Sequence, residues 1–268
     1  MPTKLDVKQY WEKRLSNCFS LEGVGCLGMG ERYNWYLYKS KNRVMNRTLK
    51  KLHLSTRNKT VLDVGSGTGF WINYYLKKDI RNICGCDISS VSVRNLKTIY
   101  SKYDNVSIFE ADFGSRSIPV DVEFDIVNAM DVAYHILDDD GFTTFIDNIS
   151  GCLRSGGYVF LTDTFPERPR DMRYPHVKNR TLSEYNEGME RNGIRIIMVT
   201  PMYFLLHPPA DGKPSPTLLG LIYEITQRVY RRKYLGLVYL GTLYMSDSIL
   251  TYFQNLSFSL ELIVGRKM

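Results

Sequence analysis

The chain has 268 residues, of which 44% are hydrophobic and 24% charged, with a formal net charge of +7. That balance excludes a disordered or fibrous protein and leaves room for one substantial core with elaborations. No stretch approaches 18 uninterrupted apolar residues and the N-terminus lacks the apolar run of a signal peptide, so a membrane span and a classical export signal are not expected. Five scattered cysteines (Cys18, Cys26, Cys84, Cys86 and Cys152) in a chain this size point to reduced thiols and a cytoplasmic home. Cys84 and Cys86 alternate on an apparent strand, so they face opposite ways and make a poor metal chelate.

Taken in chain order, residues 4–16 and 31–54 read as aromatic and basic helices, joined by the glycine-rich "LEGVGCLGMG". From Lys59 the pattern alternates. Strand "TVLDVG" is followed by a helix from Phe70 to Lys77, strand "NICGCDI", a helix from Ser90 to Lys102, and strands "VSIFEAD" and "FDIVNAM". A helix over about 141–152, strand "YVFLTDTF", helix "TLSEYNEGMERNG" and strand "IRIIMVT" come next, and "SLELIVG" closes the chain. Strands alternating with helices imply parallel crossovers. The expected fold is α/β, with a doubly wound, mostly parallel seven-stranded sheet, an N-terminal helical lid and a helical insert before the last strand. The expected boundaries are 1–56 for the lid, 57–206 for the core, 207–256 for the insert, opened by "HPPADGKPSPT", and 257–268 for the final strand.

The stretch "VLDVGSGTGFW" sits where such sheets bind ligands, beyond the carboxyl end of a strand. Gly65, Gly67 and Gly69 free the backbone for positive φ and for close approach of a ligand. The spacing is G-x-G-x-G, and Phe70 stands where a dinucleotide-binding turn wants its third glycine. Asp63 repels a pyrophosphate and suits a cationic amine. Twenty-two residues beyond Gly65, Asp87 is placed to accept both hydroxyls of a ribose. Asp112 follows the third strand, where it suits an exocyclic adenine amine beside Phe113.

This ordered set resembles the S-adenosylmethionine site of class I methyltransferases: the acidic glycine loop, the acid after the second strand and the Asp after the third. The likeness continues through "FDIVNAMDVAYHILDDD", "LRSGGYVFLTD" and "LELIVGRK". It implies a cofactor site of Asp63, Gly65, Ser66, Gly67, Gly69, Asp87, Ile88, Asp112, Phe113 and Met130, with Tyr33, Tyr36 or Tyr134 facing the sulfonium through cation–π attraction. It also implies transfer of a methyl group to a small-molecule or glycan acceptor, at a hydroxyl oxygen.

A hydroxyl acceptor needs a base. Asp131 and His135 lie four apart and share a face if their segment is helical; the alternative for His135 is a satisfied core histidine. Asp163 ends the fifth strand, and "HVKNRTLSEY" brings His176 as a second base candidate and Arg180 as an anion clamp, or else forms a polar loop. Asp131 with Asp163 faintly resembles the metal site of catechol methyltransferases, but Thr164 replaces the required Asn, so no metal is expected. Nucleic-acid methylation is disfavoured because "NAMDV" has neither the proline-rich loop nor the Pro-Cys pair of those enzymes; a non-catalytic cofactor-binding subunit is the other alternative. The aromatics of the N-terminal segment, Tyr10 and Trp11 among them, fit a lid or simple packing. The basic run Lys39, Lys41, Arg43, Arg47, Lys50 and Lys51 is expected to be solvated. For the apolar insert three roles fit: an acceptor-binding cap, a homodimer interface, or peripheral membrane contact through residues 218–250.

Overall fold

The computed structural model describes residues 5–115, 118–119, 122–167, 174–209, 217–253 and 258–268. Seven strands form one sheet: β1 (Thr60–Val64), β2 (Asn82–Asp87), β3 (Val106–Glu110), β4 (Phe124–Ala129), β5 (Leu153–Asp163), β6 (Ile194–Pro201) and β7 (Glu261–Lys267). Their order is β3-β2-β1-β4-β5-β7-β6, parallel except for β7, which pairs antiparallel with both neighbours. The order reverses between β1 and β4, so the carboxyl ends of these two strands flank a crevice at the topological switch point. The α/β, mostly parallel seven-stranded architecture expected from the alternating pattern is the one observed.

Helices cover both faces. On one side α3 (Gly30–Lys51), α4 (Phe70–Leu76) and α5 (Ser90–Ile99) bury Val44, Met45, Trp71, Ile72, Tyr75 and Leu96 against the sheet. On the other, α6 (Asp139–Cys152) and α7 (Leu182–Arg191) bury Phe145, Ile146, Ile149, Tyr185 and Met189. Helix starts follow their caps. Ser89 accepts from the Ser92 N–H at the head of α5, and Asp138 accepts from Gly141 N–H at the head of α6. Thr181 and Glu184 form a reciprocal capping box on α7.

Two expectations change. Strand β5 begins at Leu153, five residues before the expected "YVFLTDTF", because Leu153 pairs with Phe124 before a register shift. The "AMDVAYHILDDD" segment forms only a single 3₁₀ turn, Ala133–His135, after Asp131 adopts a left-handed φ of 64°. Asp131 and His135 therefore do not share an α-helical face.

The N-terminus supplies α1 (Val7–Asn17) and the short α2 (Leu21–Val24). Arg14 ties them together, donating from Nε to Gly23 O at 2.6 Å and from Nη2 to Gly25 O at 2.5 Å. The insert holds α8 (Thr217–Val229) and α9 (Lys233–Phe253). In the proline-rich run before it, residues 210–216 lie outside the described residues. Buried Asp247 of α9 fastens the insert: its Oδ1 accepts from the N–H groups of Phe204, Leu205 and Leu206, and its Oδ2 pairs with Arg43 at 3.2 Å.

Candidate active site

A cavity of about 290 Å³ opens at the switch point. Its floor is the loop after β1, its side walls are the ends of β2, β3 and β4, and its roof is the N-terminal segment, through Leu5, Val7, Trp11, Leu15, Val24 and Tyr38. The size falls at the lower end of the range for small-molecule sites.

The floor is built from glycine. Gly65, Gly67 and Gly69 all have positive φ (70°, 53° and 83°), which side-chain-bearing residues rarely adopt. A Cβ on Gly65 would lie 2.4 Å from Val132 Cγ2, so the loop after β4 closes directly on bare backbone. Gly65, Ser66 and Gly67 line the cavity. Gly69 does not; it stands under Tyr100, whose hydroxyl donates to Gly69 O at 3.0 Å, and its role is packing at the head of α4.

Asp63 also lies off the wall. It is buried beneath the glycine turn, where Asn128 Nδ2 donates to Oδ1 at 2.7 Å and Oδ2 has no partner among the described residues. Burial pushes its pKa up to about 7. The cavity thus presents Gly65, Ser66 and Gly67 rather than the acid itself.

Asp87 reaches the cavity from the end of β2. Its Oδ2 accepts from Gly67 N–H at 2.7 Å and its Oδ1 from Ser89 N–H at 2.9 Å, which locks the carboxylate in place and leaves a lone pair on each oxygen. Burial raises its pKa, opposed by these backbone donors. Ile88, Asp112, Phe113 and Met130 complete the same wall, and Asp112 is oriented by accepting from Gly114 N–H at 2.9 Å.

At the other end of the cavity stand Asp131 and His135. Asp131 Oδ1 accepts from Thr162 Oγ1 at 2.9 Å, and its Oδ2 pairs with the Lys41 ammonium. Burial works against ionisation, yet Lys41 and Thr162 outweigh it and hold the Asp131 pKa below the usual carboxylate value. Asp131 is therefore held as a carboxylate, paired with Lys41 and Thr162. Lys41 escapes the solvated run expected for its neighbours because it lies on the buried face of α3, one turn from Leu37, Tyr38 and Val44.

His135 Nδ1 lies 2.7 Å from the carbonyl oxygen of His176. A carbonyl only accepts, so Nδ1 carries the proton and Nε2 keeps its lone pair. Burial lowers the pKa to about 4, so the ring is neutral at pH 7. Trp11 of the roof meets its ring edge-on at 4.9 Å.

The remaining candidates stand elsewhere. His176 is not on the cavity wall: its ring stacks on Tyr10 at 4.4 Å and its Nε2 lies 3.3 Å from the Tyr10 hydroxyl, which also accepts from Arg14 Nη1. Its part in the site is the carbonyl that orients His135. Asp163 is fully buried, taking bonds from Thr164 N–H, Asn179 Nδ2 and Tyr185 Oη, with its pKa raised to about 6 by burial. Arg180 is buried under the head of α6, donating to Asp138 O and Asp139 Oδ1 with its guanidinium 4.1 Å from the Phe142 ring centre. Neither lines the cavity. Tyr33 and Tyr36 pack against the insert: Tyr33 donates to Leu206 O and meets Tyr230, while Tyr36 meets Tyr244. Tyr38 lines the cavity instead, and Tyr134 does not. Among the described residues, no group of three or more His, Cys, Asp or Glu side chains is placed to hold a metal ion.

Residues 61–157, the segment that builds this floor and these walls, match the family described as the methyltransferase domain. The matched segment, about a third of the chain, is a methyltransferase domain, a domain type that uses S-adenosylmethionine as its cofactor. In sequence, 106 residues are 31% identical to "Protein arginine N-methyltransferase 8-B" of Danio rerio; the match covers 39% of this chain and 25% of that protein. The chain thus spans about a quarter of the length of the curated relative it matches. In structure, it is similar to phosphoethanolamine N-methyltransferase 2 of Haemonchus contortus, solved with S-adenosyl-L-methionine (TM-score 0.62, 16% identity, 98% of this chain and 60% of that chain). It is also similar to a putative sarcosine dimethylglycine methyltransferase of Galdieria sulphuraria (TM-score 0.60, 14% identity, 98% of each chain). At such identities the likeness concerns the fold, and both matches extend over the N-terminal helices and the insert as well as the methyltransferase domain.

The site fits the cofactor on its own chemistry. Paired lone pairs on a locked Asp87 suit vicinal ribose hydroxyls, Asp112 suits an exocyclic amine, and the bare backbone of Gly65 and Gly67 admits the amino-acid portion.

Proposed function

We propose that the chain transfers a methyl group from S-adenosylmethionine to a hydroxyl oxygen of a small-molecule or glycan acceptor. The observation that carries this reading is the pinned tautomer of His135, which presents an unprotonated Nε2 from the cavity wall beside the Asp131 carboxylate. When bound, the cofactor supplies a methyl group activated by a positively charged sulfur. Asp87 and the glycine turn would hold its adenosyl and amino-acid ends, and Met130, Asp131 and His135 of the same cavity would remain for the acceptor. The acceptor's oxygen is then oriented by His135 Nε2, which takes its proton. A pKa near 4 suffices for this, because an oxygen that is gaining a methyl group becomes strongly acidic. Asp131 opposes the cost of the resulting imidazolium, since its charge favours protonated His135. The roof formed by Trp11, Leu15, Val24 and Tyr38 supports a small acceptor, which it would enclose and shield from water.

The test is radiolabelled methyl transfer into a panel of phenolic, aliphatic-alcohol and sugar acceptors, followed by the variant His135→Gln. With a hydroxyl acceptor, general-base catalysis of about 10²–10⁴-fold should be lost from kcat while cofactor affinity holds. Label appearing only in amines, or an undiminished kcat in His135→Gln, would overturn the assignment.

A further inference from the structure

Helix α9 carries apolar residues on its outward face as well as its inward one. Its inward face carries Gly236, Leu240, Leu243, Asp247 and Thr251, with Asp247 fully buried. Its outward face carries Tyr234, Val238, Met245, Ile249 and Tyr252, each 60–75% exposed. At 100° per residue these five fall within a stripe of about 60°, and Leu235 and Phe253 widen it. Over 21 residues the stripe runs about 30 Å. Leu218, Leu221 and Ile225 of α8 are exposed as well. A water-facing helix places its polar residues outward; here Asp247 and Thr251 are spent inside, on Arg43 and on backbone, and the apolar residues face out.

Among the described residues, the exposed charges around this face are mostly basic. The turn joining α8 to α9 exposes Arg231, Arg232 and Lys233, and α3 adds Lys39, 4.8 Å from the Tyr244 ring centre, and Arg47, 5.7 Å from that of Tyr252. Asp247 is the one acid of α9, and it is buried; Glu224 of α8 lies beside Arg228 at 3.8 Å. A second copy laid on this face would bring the same basic turn and no exposed acid from α9 to meet it. An apolar stripe with aromatic residues at both ends and a rim of Arg and Lys matches instead the chemistry of an anionic lipid surface. Among the described residues, no helix is long and apolar enough to cross a membrane, so α9 would lie in the interface plane.

We propose that the outward face of α9, with the basic α8–α9 turn and the exposed edge of α8, docks the protein onto anionic bilayers. The test is flotation of the full chain with vesicles of phosphatidylcholine alone and of phosphatidylcholine with about 30% phosphatidylserine, across a salt titration. Binding is expected only to the anionic vesicles and is expected to weaken with salt. Each basic residue near such a surface contributes about fivefold to partitioning. The pair Arg232→Glu with Lys233→Glu should therefore reduce binding at least tenfold, and so should Val238→Asp with Ile249→Asp. Both pairs lie outside the cofactor cavity, so unchanged S-adenosylmethionine affinity verifies that each variant is folded. The proposal fails if anionic vesicles do not bind the wild-type chain, or if the variants bind them undiminished. It fails equally if sedimentation velocity shows a dimer that Val238→Asp with Ile249→Asp dissociates while vesicles are ignored, which would assign the face to a second copy.

Discussion

Replacing Asp87 by alanine probes the cofactor site at its best-defined point. The carboxylate is fixed by Gly67 N–H at 2.7 Å and Ser89 N–H at 2.9 Å, and the residue lines the cavity. A charge-assisted hydrogen bond is worth about 1.5–3 kcal/mol net. Loss of one ribose bond at the bottom of that range already weakens binding slightly more than tenfold, and loss of two centres the expectation near a hundredfold or beyond. The substitution also strips Gly67 and Ser89 of their acceptor, so the glycine turn loosens and the melting temperature should fall by a few degrees. Titration calorimetry with S-adenosylhomocysteine measures the first effect and a thermal melt the second. A dissociation constant within twofold of wild type, in a variant that still folds, would refute this assignment of Asp87.

Three further outcomes follow from the buried charges. Asp63 has a folded pKa of about 7, above its ordinary value near 4, so the folded state holds a proton that the unfolded state has released between these pH values; stability contributed at low pH is lost as pH rises through about 7. In the cofactor-free protein, Asp63→Asn should therefore raise the melting temperature more at pH 8 than at pH 5, and a pH-independent difference would show that Asp63 titrates normally. Lys41→Met strands Asp131 without its ammonium and should cost about 3–5 kcal/mol, most of it restored by adding Asp131→Asn; denaturation of the single and double variants checks this, and additive losses would contradict it. Because burial holds His135 near pKa 4, kcat with a hydroxyl acceptor should show no inflection near pH 6.5 that His135→Gln removes; such an inflection would mean the ring titrates as if exposed.

The sheet, its switch point and the grouping of the glycine turn, Asp87 and Asp112 at one cavity were legible because their signals are local. The glycine spacing, the acid ending β2 and the Asp after β3 each lie within a few residues of a strand end, where the fold class fixes their direction. The acceptor side was harder to read because it is assembled from distant parts of the chain. Lys41 meets Asp131 across 90 residues of sequence, and Tyr10 meets His176 across 166. The period of α3 does place Lys41 with Leu37 and Val44, and that was the available signal. Tyr33 and Tyr36 looked free to face a sulfonium because nothing in their own segment shows that the insert covers them. Arg180 and Asp163 stand off the cavity wall because their partners, Asp139 and Tyr185, lie on elements whose docking only the tertiary structure reveals.

The central claim is that one adenosyl ligand lies across the ends of β1, β2 and β3 with its sulfur toward His135. A crystal structure with S-adenosylhomocysteine tests it most directly. The account expects both ribose hydroxyls on Asp87, the adenine beside Asp112 and Phe113, and the sulfur on the Met130–His135 side under Trp11. A ligand bound elsewhere, or ribose hydroxyls that leave Asp87 untouched, would contradict it.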